Sequence, residues 1–351
     1  MSLYALARTA LFKLDAEHAH ELTIESFRRA PQLATAPFAG KGVDDPVDLL
    51  GLRFANRVGL SAGLDKNAEC LDAWSRLGFG FVEIGTVTPR AQPGNPKPRM
   101  FRLPKHEALI NRLGFNNKGA DYALARIRES SYRGVLGVNL GKNFDTPNER
   151  AADDYVAGLR KLYGVASYVT INVSSPNTKG LRDLQSQAAL RALLAAITVE
   201  RSRLADAHGK RVPLLLKIAP DLSNEQIFEA ADVARSSGID GMIATNTTIA
   251  RPSVEQDPLA KETGGLSGAP LRLMACEVMR KLRGRVGAGF PLIGVGGITN
   301  ADAAVERVEA GADLVQIYTG FIYRGPGLIG ECAAALKKQA ASKLPRGAGS
   351  L

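Results

Sequence analysis

A short segment at residues 170–185, TINVSSPNTKGLRDLQ, joins an apolar run to a cluster of small polar side chains. The cluster comprises Asn172, Ser174, Ser175 and Asn177, arranged around Pro176. Amides both donate and accept hydrogen bonds, so they suit a ligand ring that carries both kinds of group. A serine hydroxyl is a weak base, and without a histidine nearby in the sequence it needs a route for its proton. An ordinary turn is the alternative, because Ser and Asn also bond local backbone and proline restricts the residue before it.

Other polar residues follow short apolar segments in the same way. Eight such segments, each followed by loop residues and a helical pattern, span residues 58–63, 81–86, 135–141, 168–174, 213–219, 240–246, 291–297 and 313–319. This repetition predicts an α/β fold, a (β/α)8 TIM barrel, because parallel strands covered on both faces are continuously apolar. The polar residues at or just beyond the strand ends are Thr86, Asn139, Asn172, Lys217, Thr245 and Asn246. Barrel strands end at one common face, where this fold places active sites, so the set favours a site over separate turn caps.

Lys217 is the most informative member of this set. In LLLKIAP its ammonium follows three leucines, and burying it there is costly unless a partner meets it. The sequence therefore predicts an anionic or electron-rich group nearby. The alternative is a lysine that extends to the barrel mouth without a function.

A phosphate site is predicted at the last two strands. GVGGI, residues 294–298, and YTGF, residues 318–321, follow the seventh and eighth strands. Glycines allow backbone N–H groups to approach an anion closely, and barrels often bind phosphate in these two loops. GVNLGKN does not have the spacing of a P-loop, and no G-x-G-x-x-G follows a strand. A mononucleotide cofactor fits better than a dinucleotide.

Composition narrows the class of protein further. The net charge is +10, which by itself suggests an anionic partner, but the charges are scattered and no basic block with interleaved aromatics occurs. No nucleic-acid partner is therefore expected. Cys70, Cys276 and Cys332 lie far apart, and His18 and His20 face different sides of a helix, so neither a disulfide framework nor a metal site is indicated. A reducing compartment fits these cysteines.

The first 40 residues predict two amphipathic helices. Apolar residues recur at helical spacing over residues 3–14, and a second helix is predicted from Asp15 as N-cap to Pro31. The Pro-, Ala- and Gly-rich residues 30–42 are predicted to be a linker. No run of 18 apolar residues occurs, so a membrane span is not expected. The apolar faces can dock on the barrel or contact a membrane surface, and the sequence leaves both open.

Nine motifs, in order along nearly the whole chain, resemble those of the dihydroorotate dehydrogenase family. They are GLDKNAE (63–69), EIGTVTPRAQPGNPKPRMFRL (83–103), NRLGFNNKG (111–119), INVSSPNTKGLRDLQ (171–185), KIAPDL (217–222), ATNTT (244–248), GGLSG (264–268), GVGGI (294–298) and QIYTGF (316–321). The N-terminal helices and Ser175 resemble the membrane-associated, quinone-dependent class 2, since the soluble classes typically carry cysteine at that position. The resemblance implies oxidation of (S)-dihydroorotate to orotate, with FMN as hydride acceptor and a membrane quinone as oxidant, in pyrimidine biosynthesis.

The resemblance also implies roles for individual residues. Ser175 is the expected base, with a tentative proton relay through Thr178 beside Phe115. The expected FMN-binding residues are Ala62, Gly63, Lys66, Thr86, Asn139, Asn172, Lys217, Thr245, Gly268, Gly297, Tyr318 and Thr319. The expected substrate-binding residues are Lys66, Asn111, Arg112, Leu113, Gly114, Phe115, Asn172, Asn177, Asn246 and Thr247. His20 and Arg102 match positions near the quinone tunnel.

The expected organisation is an N-terminal helical module at residues 1–40, which gives a quinone access from the membrane, and a catalytic barrel at residues 45–340. The expected partners are dihydroorotate or orotate and ubiquinone or menaquinone. The protein is expected to be a monomer at the cytoplasmic face of the cell membrane, held there peripherally. Two rival hypotheses are a soluble oxidoreductase using fumarate or a nicotinamide, and an RNA-associated flavin barrel or noncatalytic phosphate-binding barrel. The serine at position 175 and the ring of amides argue against them.

Overall fold

The N-terminal segment holds three helices. A computed structural model of the protein describes residues 3–40 and 42–343, with only the backbone of Lys343. The helices are α1 (Leu3–Leu11), α2 (Ala16–Arg29) and α3 (Pro31–Thr35). Helix α2 begins where Asp15 accepts hydrogen bonds from the N–H groups of Glu17 and His18, at 2.9 and 3.1 Å. The two predicted helices are present, but the predicted linker is wrong over residues 31–35, where Pro31 opens a third helix.

A hairpin closes the floor of the barrel. Its strands are β1 (Val47–Leu49) and β2 (Leu52–Phe54). Phe54 packs edge-on against Phe81, with ring centroids 5.1 Å apart, inside a buried cluster to which most barrel strands contribute. The hairpin was not predicted, because each strand is only three residues long. Ligands of the barrel interior therefore bind at the opposite end.

Eight parallel strands form the closed barrel, which confirms the predicted fold. They are β3 (Val58–Leu60), β4 (Phe81–Val87), β7 (Val135–Leu140), β8 (Tyr168–Asn172), β9 (Leu214–Ile218), β10 (Gly241–Ala244), β12 (Leu292–Val295) and β13 (Leu314–Ile317). Seven of them lie within the predicted segments, and β4 extends one residue beyond its segment, to Val87. The remaining helices are α4 (Leu71–Trp74), α5 (Gly119–Glu129), α6 (Ala151–Leu162), α7 (Gln187–His208), α8 (Asn224–Ser236), α9 (Arg272–Val286), α10 (Ala301–Glu309), α11 (Thr319–Arg324) and α12 (Gly327–Lys343). They cover the strands, whose residues are almost all buried.

A second sheet lies outside the barrel. Its antiparallel strands are β5 (Met100–Leu103), β6 (Ala108–Asn111) and β11 (Gly265–Gly268), with β6 in the middle. Leu103, Ile110 and Leu266 form its buried face. The pairing sets Asn111 opposite Gly265, although 154 residues separate them in the chain. Sequence analysis missed this sheet, since only its long-range pairing identifies the short strands.

The N-terminal helices dock on the barrel through polar and apolar contacts. Glu17 of α2 forms a buried ion pair with Arg99, at 2.7 Å. The Tyr4 hydroxyl donates to the carbonyl of Ile322 at 2.6 Å, which ties α1 to α11. The opposite side of the helices stays exposed, including Leu3 and Leu6 at 55% and Leu33 at 78%. Among the described residues, no helix is both long enough and apolar enough to cross a bilayer.

Candidate active site

A polar cavity lies at the carboxyl ends of the barrel strands. Its empty volume is about 970 Å³, which includes the part open to solvent and is in the range of sites that bind small molecules. Most residues predicted from the motifs line it. These are Ala62, Gly63, Lys66, Thr86, Asn111, Leu113, Gly114, Phe115, Asn172, Ser175, Asn177, Lys217, Thr245, Asn246, Thr247, Gly268, Gly297, Tyr318 and Thr319. The strand-end polar residues thus converge on one face, as the barrel geometry predicts.

A chain of hydrogen bonds fixes the cavity floor. The Thr86 hydroxyl donates to Oδ1 of Asn139 at 2.6 Å, and Nδ2 of Asn172 donates to Thr86 and Asn139 at 3.0 and 3.1 Å. Asn139 also donates from Nδ2 to the buried Glu83 carboxylate at 2.8 Å. Asn139 is fully buried and does not line the cavity, so it holds Thr86 and Asn172 from behind.

Ser175 lines the cavity together with the amides of Asn111 and Asn177. Its Oγ accepts a hydrogen bond from the backbone N–H of Asn177 at 3.2 Å, and Nδ2 of Asn177 donates to Oδ1 of Asn111 at 3.2 Å. Among the described residues, none accepts a hydrogen bond from the Ser175 hydroxyl. One lone pair and the hydroxyl proton of Ser175 are therefore available to a ligand or a relay.

Ser174, by contrast, has a structural role in the same turn. Its hydroxyl donates to Oδ1 of Asn172 at 2.7 Å and accepts from Nδ2 of Asn246 at 2.9 Å. These bonds orient two amides that line the cavity. The small polar residues around Pro176 therefore divide into side chains that support the turn and side chains that face the cavity.

Lys217 is buried among apolar neighbours, as its place after three leucines predicts. It lies beside Asn172 in the register of β8 and β9, is buried, and forms no hydrogen bond or ion pair with any described residue. Burial lowers its pKa, and the charge of Glu83 partly opposes this shift. An unpaired buried ammonium that faces a cavity is suited to an electron-rich ligand.

Lys66 is the second cation of the cavity. Burial lowers its pKa to about 8, while the nearby carboxylates of Glu17 and Asp65 oppose the shift. It is therefore mostly protonated at neutral pH. A cation at this position can bind a carboxylate group of a ligand.

Backbone groups of the loop after β12 form one part of the cavity wall. Gly296 and Gly297 have φ angles of 100° and 74°, in the left-handed region, and both line the cavity. No described residue accepts a hydrogen bond from either N–H group. Thr245 likewise lines the cavity with a buried hydroxyl that has no described partner. The N–H groups of Gly296 and Gly297, which have no acceptor among the described residues, fit a phosphate, and the Lys217 ammonium fits the ring of FMN, on which negative charge develops when the ring is reduced.

Two other predicted residues lie outside the cavity lining. Arg112 is paired with Glu262 at 2.6 Å and lies over the Phe101 ring, 4.6 Å from its centroid. Its side chain is occupied there, so a substrate-binding role for it is not supported. Thr178 is buried, and its hydroxyl has no partner among the described residues.

Sequence analysis missed several polar residues that line or support this site. Gln316 lines the cavity and donates from Nε2 to Glu83 at 2.7 Å, and Tyr168 donates to the same carboxylate at 2.9 Å. Glu83 thus accepts three hydrogen bonds in the barrel interior. A carboxylate in the apolar segment FVEIGT was a signal of the same kind as Lys217 in LLLKIAP.

A second cavity of about 1010 Å³ lies between the N-terminal helices and the barrel. Its lining is mostly apolar and includes Ala19, His20, Phe27 and Arg102. The Arg102 guanidinium lies over the Phe12 ring, 4.7 Å from its centroid, and donates to the carbonyls of Leu11 and Leu14. Tyr318 lines both cavities and therefore stands between them.

The protonation of His20, which lines this second cavity, should make the free energy of unfolding depend on pH. Burial, together with the charge of Lys66, lowers the pKa of His20 to about 3. In the unfolded chain the value is about 6.5, so below that pH the unfolded state binds a proton that the folded state does not. The contribution of His20 to stability is full above pH 6.5 and is lost as the pH falls toward 3, by at most about 1.4 kcal/mol per pH unit.

Urea unfolding of the wild type and His20→Gln at pH 7 and pH 5 tests this expectation. The wild type should lose more of its free energy of unfolding between the two pH values than the variant does. Equal losses in the two proteins would show that His20 titrates normally in the folded state.

The comparisons with known proteins agree with this geometry. The family model described as dihydroorotate dehydrogenase matches residues 46–339. The dihydroorotate dehydrogenase (quinone) of Chromobacterium violaceum is 57% identical over 334 residues, which are 95% of this chain and 97% of that protein. The protein of the same name from Paraburkholderia phymatum is 56% identical over 341 residues, 97% of this chain and 99% of that protein.

Solved structures give the same result. The structure of DHODH from Eimeria tenella in complex with ferulenol has a TM-score of 0.86 and 40% identity, and covers 93% of this chain and 92% of that one. The ligand-free structure from the same organism has a TM-score of 0.85 and 41% identity, and covers 93% and 96%. On this evidence the chain belongs to the dihydroorotate dehydrogenase family.

Proposed function

We propose that the two adjacent cavities carry the two half-reactions of a quinone-dependent dihydroorotate dehydrogenase, with Ser175 as the base of the first. The enzyme oxidises (S)-dihydroorotate to orotate in pyrimidine biosynthesis, and a quinone is the final acceptor. The observation that supports the division best is the shared wall at Tyr318. A polar cavity lined by amides and cations lies on one side of it, and an apolar cavity lies on the other.

The first half-reaction removes a proton from C5 and a hydride from C6 of the substrate. FMN, when bound, would supply the acceptor for this hydride and the redox link to the quinone. Ser175 takes the C5 proton on its free lone pair, since its other lone pair accepts from the N–H of Asn177. The hydroxyl must release its own proton in turn, and the buried Thr178 hydroxyl, which has no partner among the described residues, is the proposed next member of a relay that carries the proton to solvent.

The amide ring orients the pyrimidine for this step. Asn111, Asn177 and Asn246 present donors and acceptors at one level of the cavity, and Lys66 is the proposed partner of the substrate carboxylate. Asn172 and Lys217 belong to the flavin side. Lys217 would help to hold the flavin ring and would offer its charge to the negative charge that develops on the ring when it is reduced.

The second half-reaction is assigned to the apolar cavity beside the N-terminal helices. Its lining suits a lipid-soluble quinone, ubiquinone or menaquinone, with His20 and Arg102 as polar groups near the quinone ring. We place the exposed leucines of residues 3–40 in the surface of the cytoplasmic membrane leaflet, with the exposed Lys13 toward the headgroups. In this arrangement the quinone enters without leaving the bilayer, and residues 1–40 form its access module.

A single anaerobic experiment tests both half-reactions. Dihydroorotate should bleach the flavin absorbance of purified protein, and a ubiquinone analogue should restore it. Ala19→Trp fills the apolar cavity from α2, so the variant should bleach normally but recover its absorbance at least about tenfold more slowly with quinone, as expected when a steric block costs a little over 1 kcal/mol. His18→Trp is the matched control, because His18 is exposed on the same helix and does not line the cavity.

The outcomes separate the two assignments. If dihydroorotate does not bleach the flavin of the wild type, dihydroorotate is not the substrate. Equal recovery of Ala19→Trp and His18→Trp with quinone would remove the apolar cavity as the quinone site and leave the first half-reaction intact. Recovery with fumarate or a nicotinamide instead of quinone would place the enzyme in a soluble class.

A further inference from the structure

An arginine with no acidic partner lies buried beneath the glycine loop of the polar cavity. Arg307 of α10 is fully buried, and no carboxylate of a described residue lies within ion-pair distance of it. The neighbouring Glu306 is held instead by Arg272, at 2.5 and 2.7 Å. A buried guanidinium without a counter-ion is costly, so a compensating anion is expected in its surroundings.

The guanidinium is directed at the backbone of the loop. It donates to the carbonyls of Val295 and Gly296 at 2.7 and 2.8 Å, and to the carbonyl of Arg272 at 3.2 Å. In a trans peptide the carbonyl and the following N–H point in opposite directions. The carbonyls of Val295 and Gly296 face Arg307. The N–H groups of Gly296 and Gly297 therefore point away from it, and both glycines line the cavity.

Two glycines, Gly294 and Gly297, allow the close packing around this arginine. A Cβ at Gly294 would lie 2.3 Å from Cγ of Arg307, so only glycine lets the side chain pass beneath β12. A Cβ at Gly297 would lie 2.3 Å from Cα of Arg272, which fixes the loop on the first residue of α9. The 15-residue helix α9 thus points its positive end toward the same place.

We propose that Arg307 is a positioning residue for the cofactor phosphate and makes the site select a phosphorylated flavin. It orients the N–H donors of Gly296 and Gly297 through their neighbouring carbonyls. Its charge also offsets the phosphate dianion from beneath the loop, without direct contact. The inference rests on FMN as the cofactor and concerns the phosphate end alone, because the flavin ring lies toward Lys217.

Comparison of FMN with riboflavin, which lacks the phosphate, tests the proposal. Cofactor-free protein is titrated with each flavin, and binding is followed by quenching of flavin fluorescence. Arg307→Met should weaken FMN binding by about tenfold to hundredfold, as expected for loss of charge-assisted hydrogen bonds, and should leave riboflavin binding nearly unchanged. Arg307→Lys keeps the charge but loses the fork of donors, so its FMN affinity should fall between the two.

Two further variants distinguish a specific effect on phosphate binding from a general loss of fold. Gly294→Ala keeps the arginine but displaces it, and should lower the preference for FMN over riboflavin in the same direction. Arg283→Met is the matched control, because Arg283 also anchors carbonyls, those of Gly311 and Phe290, but pairs with Asp313 at the opposite end of the barrel. Its preference for FMN should equal that of the wild type.

The proposal is overturned if Arg307→Met weakens FMN and riboflavin binding equally, or if it weakens neither. A wild type that binds FMN no better than riboflavin would also overturn it. A wild type that binds neither flavin would overturn the cofactor assignment, and this inference with it. Failure of the inference is thus distinguishable from failure of the function.

Discussion

Ser175→Ala should reduce the rate at which dihydroorotate bleaches the bound flavin by about 10²–10⁴-fold, the usual contribution of a positioned base. The alanine removes the one lone pair that faces the cavity and leaves the Asn177 N–H without its acceptor. Flavin binding should persist, since Ser175 lies at the substrate side and not among the backbone donors of the phosphate end. Anaerobic stopped-flow absorbance measures the rate, and the visible spectrum reports the cofactor content.

The second half-reaction provides an internal control for this variant. Flavin reduced chemically in Ser175→Ala should be reoxidised by quinone at the wild-type rate, because that step uses the other cavity. Ser175→Cys offers a second base, whose thiolate forms near pH 8.5, so its bleaching rate should rise with pH. Bleaching of Ser175→Ala at the wild-type rate would exclude Ser175 as the base.

Lys217→Met should lower the reduction potential of the bound flavin and slow its bleaching by about 10²–10³-fold, as loss of one preorganised electrostatic donor does. The ammonium has no other partner among the described residues, and methionine fills a similar volume without charge. The cofactor-free variant should be at least as stable as the wild type, because the substitution removes an uncompensated buried cation. Redox titration and urea unfolding measure the two effects separately.

Lys142→Met is the matched control for this experiment. Lys142 is also buried, but its ammonium donates to the carbonyl of Thr146 at 2.6 Å and does not line the cavity. Its substitution should destabilise the protein and leave the flavin potential unchanged. An unchanged potential in Lys217→Met would mean that Lys217 does not act on the flavin.

The barrel could be predicted because its strands carry a strong local signal. Segments such as LLLKI and YVTIN are mostly apolar and are buried throughout, since both faces of a parallel strand are covered, and the polar residues at their ends predicted where the site would lie. The hairpin at 47–54 and the sheet containing Asn111 gave no such signal. Most of their strands are short and interrupted by a polar side chain, and the pairing of β6 with β11 joins segments distant in the sequence.

The site was predictable in part for the same reason. Spacing placed Thr86, Asn172 and Lys217 together, but no pattern in the sequence distinguishes Ser175 from Ser174, which are adjacent and of one type. The structure separates them by their partners, because Ser174 is bonded to two amides and Ser175 keeps a free lone pair. The roles proposed for Ser175, Thr178 and His20 come from the resemblance to the dihydroorotate dehydrogenase family.

The partition at Tyr318 has a consequence for the order of events. Burial raises the pKa of its phenol, so the wall between the cavities stays uncharged over the working range of pH. A water-soluble acid and a membrane-soluble oxidant can then occupy neighbouring compartments at once, and only electrons need to cross between them. In the proposed arrangement the polar cavity opens to the aqueous phase and the apolar cavity opens to the lipid phase, so the departure of orotate and the arrival of the quinone need not wait for each other.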